Sequence, residues 1–159
     1  EVYFLFDKKI NYIGFEPSKI EYKCLLKNTN GKIYELACSD NNNTKIIYHK
    51  SDTADNSLYE VKDYSHKSKI NCCRIDDILM TDKIKICKID TEGAEIETRI
   101  GMEKTLKKIE YLIIDLGFEK GLKNESTIVP VMNYLFPRKF KLLEMHNERF
   151  TFLFKNASL

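Results

Sequence analysis

Apolar residues fall into short runs whose spacing alternates between strand-like and helix-like along the chain. Residues 12–15 form an aromatic and β-branched run closed by Glu16-Pro17-Ser18, and proline, lacking a ladder donor, ends the strand at Glu16. Ser18 can cap a helix over 19–27, with Ile20, Cys24 and Leu25 or Lys27 on one stripe and 28–31 as its stop. A second strand follows over 33–38. Strand, helix and strand within about thirty residues have the length of a βαβ unit with parallel pairing.

Residues 39–68 read as a long polar excursion around two weak strand-like pieces, 45–48 and 57–61. A loop of that length is a substrate-contacting lid or a disordered segment. Strand character resumes at 70–75 and 84–90, with a helical turn over 76–80 between them. The second run carries Ile84, Ile86, Cys87 and Ile89, as in a strand covered on both faces. A helix is predicted over 95–109, a buried strand over 111–115 and a helix over 128–136. Two last strands, 140–145 and 149–154, are separated only by His146-Asn147-Glu148, so they must form an antiparallel hairpin. The predicted fold is α/β: a Rossmann-like, mostly parallel sheet with a C-terminal antiparallel hairpin. That layout is similar to class I methyltransferases, whereas a dinucleotide-binding domain continues parallel.

With 159 residues the chain makes one domain, 1–159. Its 26 basic and 24 acidic residues nearly cancel, leaving no global field to recruit nucleic acid or an anionic membrane. No apolar run approaches the roughly 20 residues of a membrane span. A soluble, cytoplasmic protein is expected, and the five scattered cysteines, Cys24, Cys38, Cys72, Cys73 and Cys87, read as buried, inert thiols.

Ligands of open parallel sheets sit at the carboxyl ends of strands, so residues just after each strand carry the chemistry. Glu16 follows the first strand and can accept both hydroxyls of a ribose, or stand as a solvated carboxylate before a helix. Ser39 and Asp40 follow the second, where an adenine edge could be met, although Ser-Asp-Asn-Asn is also ordinary turn chemistry. Asp90-Thr91-Glu92-Gly93-Ala94-Glu95 is the densest carboxylate cluster. Asp90 and Glu92 sit two apart, and repulsion in a partly dry cleft would raise one of them toward use as a base. Glu95 lies at a helix start, where capping is the alternative. No metal site is expected, although these carboxylates offer oxygens that would suit magnesium. Tyr59, Tyr64 and Phe118 are candidates to stack on a ring. His146 sits in the hairpin turn, and His49 and His66 have no partner that the sequence names.

The string from Lys88 to Glu95, followed by Gly101-Met102-Glu103 and Leu106, closely resembles the central signature of FkbM-type methyltransferases. Tyr12-Ile13-Gly14-Phe15-Glu16-Pro17-Ser18 is similar to the same family's second-strand motif, and Ile75-Asp76-Asp77-Ile78-Leu79 resembles the segment between the two. The resemblance implies methyl transfer from S-adenosylmethionine to an oxygen of a small-molecule or glycan acceptor, such as a sugar or secondary metabolite. It also implies that Glu16 binds the cofactor ribose, with Ser39 and Asp40 near the adenine and Asp90 and Glu92 as catalytic bases. The family places a first strand and a glycine-rich loop upstream of Glu16. Residues 1–11 carry neither, so a missing first strand and an open sheet edge are expected, and self-association through that edge with them. Two other readings remain: a non-catalytic scaffold without cofactor binding, and a nicotinamide-dependent oxidoreductase, which also uses an acid after its second strand.

Overall fold

The structure, a computed structural model, describes residues 10–51, 53–146 and 148–159. The expectation that a first strand and glycine loop are missing before Tyr12 therefore falls almost wholly outside the described residues. Strand β1 (Ile13–Phe15) leads into helix α1 (Lys19–Asn28) and returns as β2 (Lys32–Tyr34), which pairs with β1 in parallel. The predicted strand 33–38 is broken after Tyr34, and its last two residues form β3 (Ala37–Cys38) in a second sheet. There β3 pairs in parallel with β5 (His66–Cys73), and β5 pairs antiparallel with β4 (Thr44–His49). Part of the supposed excursion, paired across a long connection, is thus regular strand. Its exposed residues are polar, and only Ile47 and the Cys72-Cys73 end are buried, which is why the apolar signal was faint.

The third sheet holds the core. Strand β6 (Ile84–Ile89) pairs in parallel with β7 (Ile109–Asp115), and β7 pairs antiparallel with β9 (Thr151–Asn156), which pairs antiparallel with β8 (Phe140–His146). The hairpin is present, with β9 inserted between β7 and β8. One mostly parallel sheet is not what the strands make: three pairings are parallel and three antiparallel, over three sheets. After β8 the chain reversal is too brief for a crossover and forces β8 and β9 to be antiparallel neighbours, whereas β4 and β5 pair antiparallel across a longer connection, residues 50–65.

Helix α2 (Ile75–Ile78) is one turn. The predicted helix 95–109 is two pieces, α3 (Glu95–Gly101) and α4 (Glu103–Leu106), divided at Met102, and Ile109 already belongs to β7. Asp76 holds the second piece in place, accepting bonds from the Lys104 N–H at 3.0 Å, the Thr105 N–H at 2.8 Å and the Thr105 hydroxyl at 2.8 Å. The division allows α3 to press on β3. A Cβ on Gly101 would lie 1.9 Å from the Ser39 carbonyl oxygen, so no larger residue fits there. Helix α5 (Ile128–Leu135) joins the same core with Val131 and Leu135, beside Met102 and Leu106 and against Leu112, Ile114, Phe152 and Phe154. Helix α1 buries nothing, and Ile20 is 74% exposed. Strand β6 is likewise uncovered where both faces were expected to be buried: Ile86 is 54% exposed, because β6 has only β7 beside it among the described residues. No helix among the described residues is long and apolar enough to cross a membrane.

Candidate functional site

Residues 50–51 and 53–65 form an irregular strap that runs across the strand ends. Consecutive strap residues make the first two of its fastenings. Asn56 donates through Nδ2 to the Ser18 hydroxyl at 2.8 Å, and the Ser57 hydroxyl donates to the Glu92 carbonyl at 2.6 Å. Ser18 lies two residues beyond Glu16 and Glu92 two beyond Asp90, so the carboxyl ends of β1 and β6 share one rim. A third fastening is Tyr59, whose hydroxyl donates to Glu97 Oε1 at 2.6 Å while Lys120 Nζ donates to the same oxygen at 2.7 Å. Burial and the Glu97 bond push the Tyr59 hydroxyl up to about 12.

Beneath the strap is a cavity of about 280 Å³. Lys50, Asp55, Ser57, Val61, Lys62 and Asp63 line it from the strap, and Glu92, Phe118, Glu119 and Asn124 from the strand ends. Glu92 is the point of interest. It adopts φ 50°, a left-handed backbone rare for a side chain of this size, and is followed by Gly93 at φ 98°. Gly93 packs against Glu119 and Lys120, where a Cβ would meet backbone at 3.0–3.2 Å. The turn thereby turns the Glu92 side chain into the cavity. Burial, then the charges of Glu119, Asp55, Asp90 and Glu95, push its carboxyl up to about 7. Glu119 is raised for the same reasons, burial first.

The other acids of the cluster have different surroundings. Asp90 is exposed and joined to Lys88 at 2.6 Å, and Lys88 also reaches Asp115 at 3.5 Å, tying the ends of β6 and β7. Glu95 is 1% exposed and folds back under the turn, accepting through Oε1 from the Thr91 N–H and hydroxyl and the Gly93 N–H. It caps the turn that presents Glu92. Glu16 accepts the Ser18 N–H through Oε1 at 2.7 Å, and burial raises its carboxyl against the bonds from Ser18. Ser39 is fully buried, donating to Asp40 Oδ1 at 3.0 Å and accepting from Lys45 Nζ at 2.7 Å. Burial alone would raise Asp40, but the bonds from Ser39 and Lys45 hold it below its ordinary value.

Glu16 and Asp40 each offer carboxylate oxygens, which suits the ribose and adenine half of a nucleoside cofactor. The six glycines include no loop of the kind that admits a methionine tail among the described residues. Of the aromatics singled out earlier, Phe118 alone faces the cavity. Tyr59 lies under Lys120, and Tyr64 packs edge-on to Tyr48. His49 and His66 are each other's partners, stacked at 4.3 Å, and His146 pairs with Thr151 in the hairpin. Cys72 and Cys73 are buried as expected and Cys38 and Cys87 are half-buried, but Cys24 is exposed, because α1 has no neighbour covering that face. Among the described residues no group of three or more His, Cys, Asp or Glu is placed to hold a metal ion. The sequence did not single out Glu119, Asp55 or Asn124. Glu119 lies four residues beyond the end of β7, past the positions that the strand-end rule reaches.

The chain is thus a mixed α/β domain with carboxylates gathered on one rim and β9 inserted antiparallel before the edge strand. Residues 2–154 match the profile of the Methyltransferase FkbM domain, and the chain belongs to that family. The fold is also similar to the crystal structure of Methyltransferase FkbM from Methylobacillus flagellatus KT, with a TM-score of 0.61 at 18% identity over 91% of this chain. The chain spans 36% of that protein's length. No curated protein matches it.

Proposed function

We propose that the domain transfers a methyl group from S-adenosylmethionine to a hydroxyl oxygen of a small-molecule or glycan acceptor held under the strap. The observation that carries this reading is Glu92, a carboxyl raised to about 7 in the wall of a polar cavity. A base with that value is half deprotonated near neutrality and is strong enough to draw a proton from a hydroxyl as the new bond forms. Bound at the rim, S-adenosylmethionine supplies an electrophilic methyl on sulfur. Glu16 Oε2 accepts a ribose hydroxyl and Asp40 Oδ2 an amine hydrogen of the adenine. Ser39 serves only by orienting Asp40, since Lys45 occupies its own hydroxyl. Phe118 offers an apolar face to the acceptor, and Glu92 receives the acceptor's proton. Asp90 takes part by holding Lys88 and adding negative charge near Glu92, so proton removal falls to Glu92 first.

Calorimetric titration with S-adenosylmethionine tests the cofactor half of the reading. Wild type is expected to bind, and Glu16→Ala to weaken binding by about tenfold or more, the loss of one charge-assisted hydrogen bond. Unchanged affinity in that variant removes Glu16 from the site, and the absence of any heat with wild type removes the cofactor.

A further inference from the structure

Strand β8 closes one end of the four-stranded sheet, and its outer edge has no partner among the described residues. Every residue from Lys141 to His146 is exposed, Leu142 at 40%, Leu143 at 53% and Met145 at 49%. A seven-residue edge without proline is open to pairing with another chain. Its register with β9 decides what kind. Phe140, Lys141 and Leu142 oppose Asn156, Lys155 and Phe154, whereas Glu144, Met145 and His146 oppose Leu153, Phe152 and Thr151. Leu143 is the extra residue of a bulge. In a regular strand Lys141 and Glu144, three apart, would point to opposite faces. The bulge shifts the alternation by one, so Lys141, Glu144 and His146 share one face and Phe140, Leu142 and Met145 the other.

That shift makes the strand complementary to itself. Turned about a twofold axis between Leu142 and Leu143, two copies of β8 run antiparallel with Lys141 opposite the second copy's Glu144 and Phe140 opposite its Met145. Each pair lies on one face, and symmetry makes each contact twice. The backbone agrees. The Ala157 N–H donates to the Lys139 carbonyl at 2.9 Å, and hydrogen-bonded pairs alternate, so Phe140, Leu142 and Met145 direct their N–H and C=O groups away from β9. Phe140 and Met145 are opposed in this pairing and can exchange backbone bonds, twice by symmetry, while at the centre Leu142 meets the bulge residue Leu143 and the ladder is interrupted. Leu142 and Met145 also border the buried Phe152 and Phe154, so the second copy would extend the apolar face that these begin. Parallel pairing in register would set Lys141 against Lys141.

We propose that the β8 edge is a homodimer interface, a second copy of this chain adding its own β8 antiparallel so that the sheet continues across the twofold axis. This edge lies at the opposite end of the sheet from β6. Sedimentation velocity from low to high micromolar concentration tests it, with four chains: wild type, K141E, E144K and K141E/E144K. Wild type is expected to pass from chain mass to twice chain mass. Each single reversal places like charges opposite each other twice and is expected to weaken the dimer by at least about tenfold, and the double swap to restore it to within about threefold. Both substituted positions are exposed, and amide exchange gives a check that needs no variant: the Phe140 and Met145 amides of wild type should exchange more slowly as concentration rises. Chain mass at every concentration, unchanged association in the single reversals, or concentration-independent exchange at Phe140 and Met145 would each overturn the proposal.

Discussion

Glu92 draws its chemistry from its neighbours. A carboxyl in water loses its proton well below neutrality, whereas here burial and four other acids hold the proton up to about pH 7. The base must be ionised to work, so methyl transfer is expected to rise as pH increases through about 7 and level off above. Glu92→Gln should lower kcat at pH 8 by roughly a hundredfold, the scale of one general base, with affinity for S-adenosylmethionine little changed. A pH profile of kcat for both proteins checks this, and a variant that keeps the inflection near 7 would transfer the role to Glu119. Asp90→Asn is the comparison. It frees Lys88 and removes one nearby negative charge, so the inflection should move below 7 while most activity remains.

At the scale of elements, two contacts decide how the rim is built. Gly101 permits α3 to touch the end of β3, and Gly101→Ala forces a methyl into the Ser39 carbonyl. A loss of about 2–3 kcal/mol is expected, seen in calorimetry as a Tm lower by roughly 5–10 °C. The strap is held differently. Ser57 is its only buried residue among those described, so polar fastenings and not an apolar core keep it down. Tyr59→Phe removes the bond to Glu97 and should speed amide exchange across residues 50–65 by about tenfold, leaving the β7 and β9 amides unaffected. Equal exchange in the variant would show that Ser57 and Asn56 suffice.

For the whole molecule, the raised carboxyls set how stability varies with pH. Glu16, Glu92, Glu95 and Glu119 all have folded values above their ordinary 4.5, each because of burial first. The folded chain therefore holds more protons than the unfolded chain from about 4.5 up to about 7, and stability falls as pH rises through that window. Asp40 and Asp76 act in the opposite sense, contributing stability above their ordinary 3.8 that is lost as pH falls below it. Thermal midpoints are expected to be highest near pH 5 and to decline toward pH 8, and Glu92→Gln should flatten that decline. Calorimetric scans at both pH values measure it.

Local patterns were enough for much of the fold. The Pro17 stop, the helix after Ser18, the apolar run of β7 and the short reversal between the last two strands follow from backbone chemistry within a few residues, and each is present close to where it was expected, although β8 takes in His146 and β9 starts only at Thr151. The strand-end rule also reached Glu16, Asp40, Asp90 and Glu92, because carboxylates immediately after apolar runs are visible without coordinates. Contacts between distant residues were not legible in this way. Strand β5 extends back to His66 because β4 pairs with it, and the helix over 95–109 divides because Asp76 caps its second half from another element. Only the folded chain brings Glu119 and Asp55 beside Glu92, and a carboxyl's proton affinity depends on which charges surround it and how much water is left. Spacing along a chain specifies which way a side chain points within its own element. The neighbours it meets, and so its chemistry, are set when the elements pack.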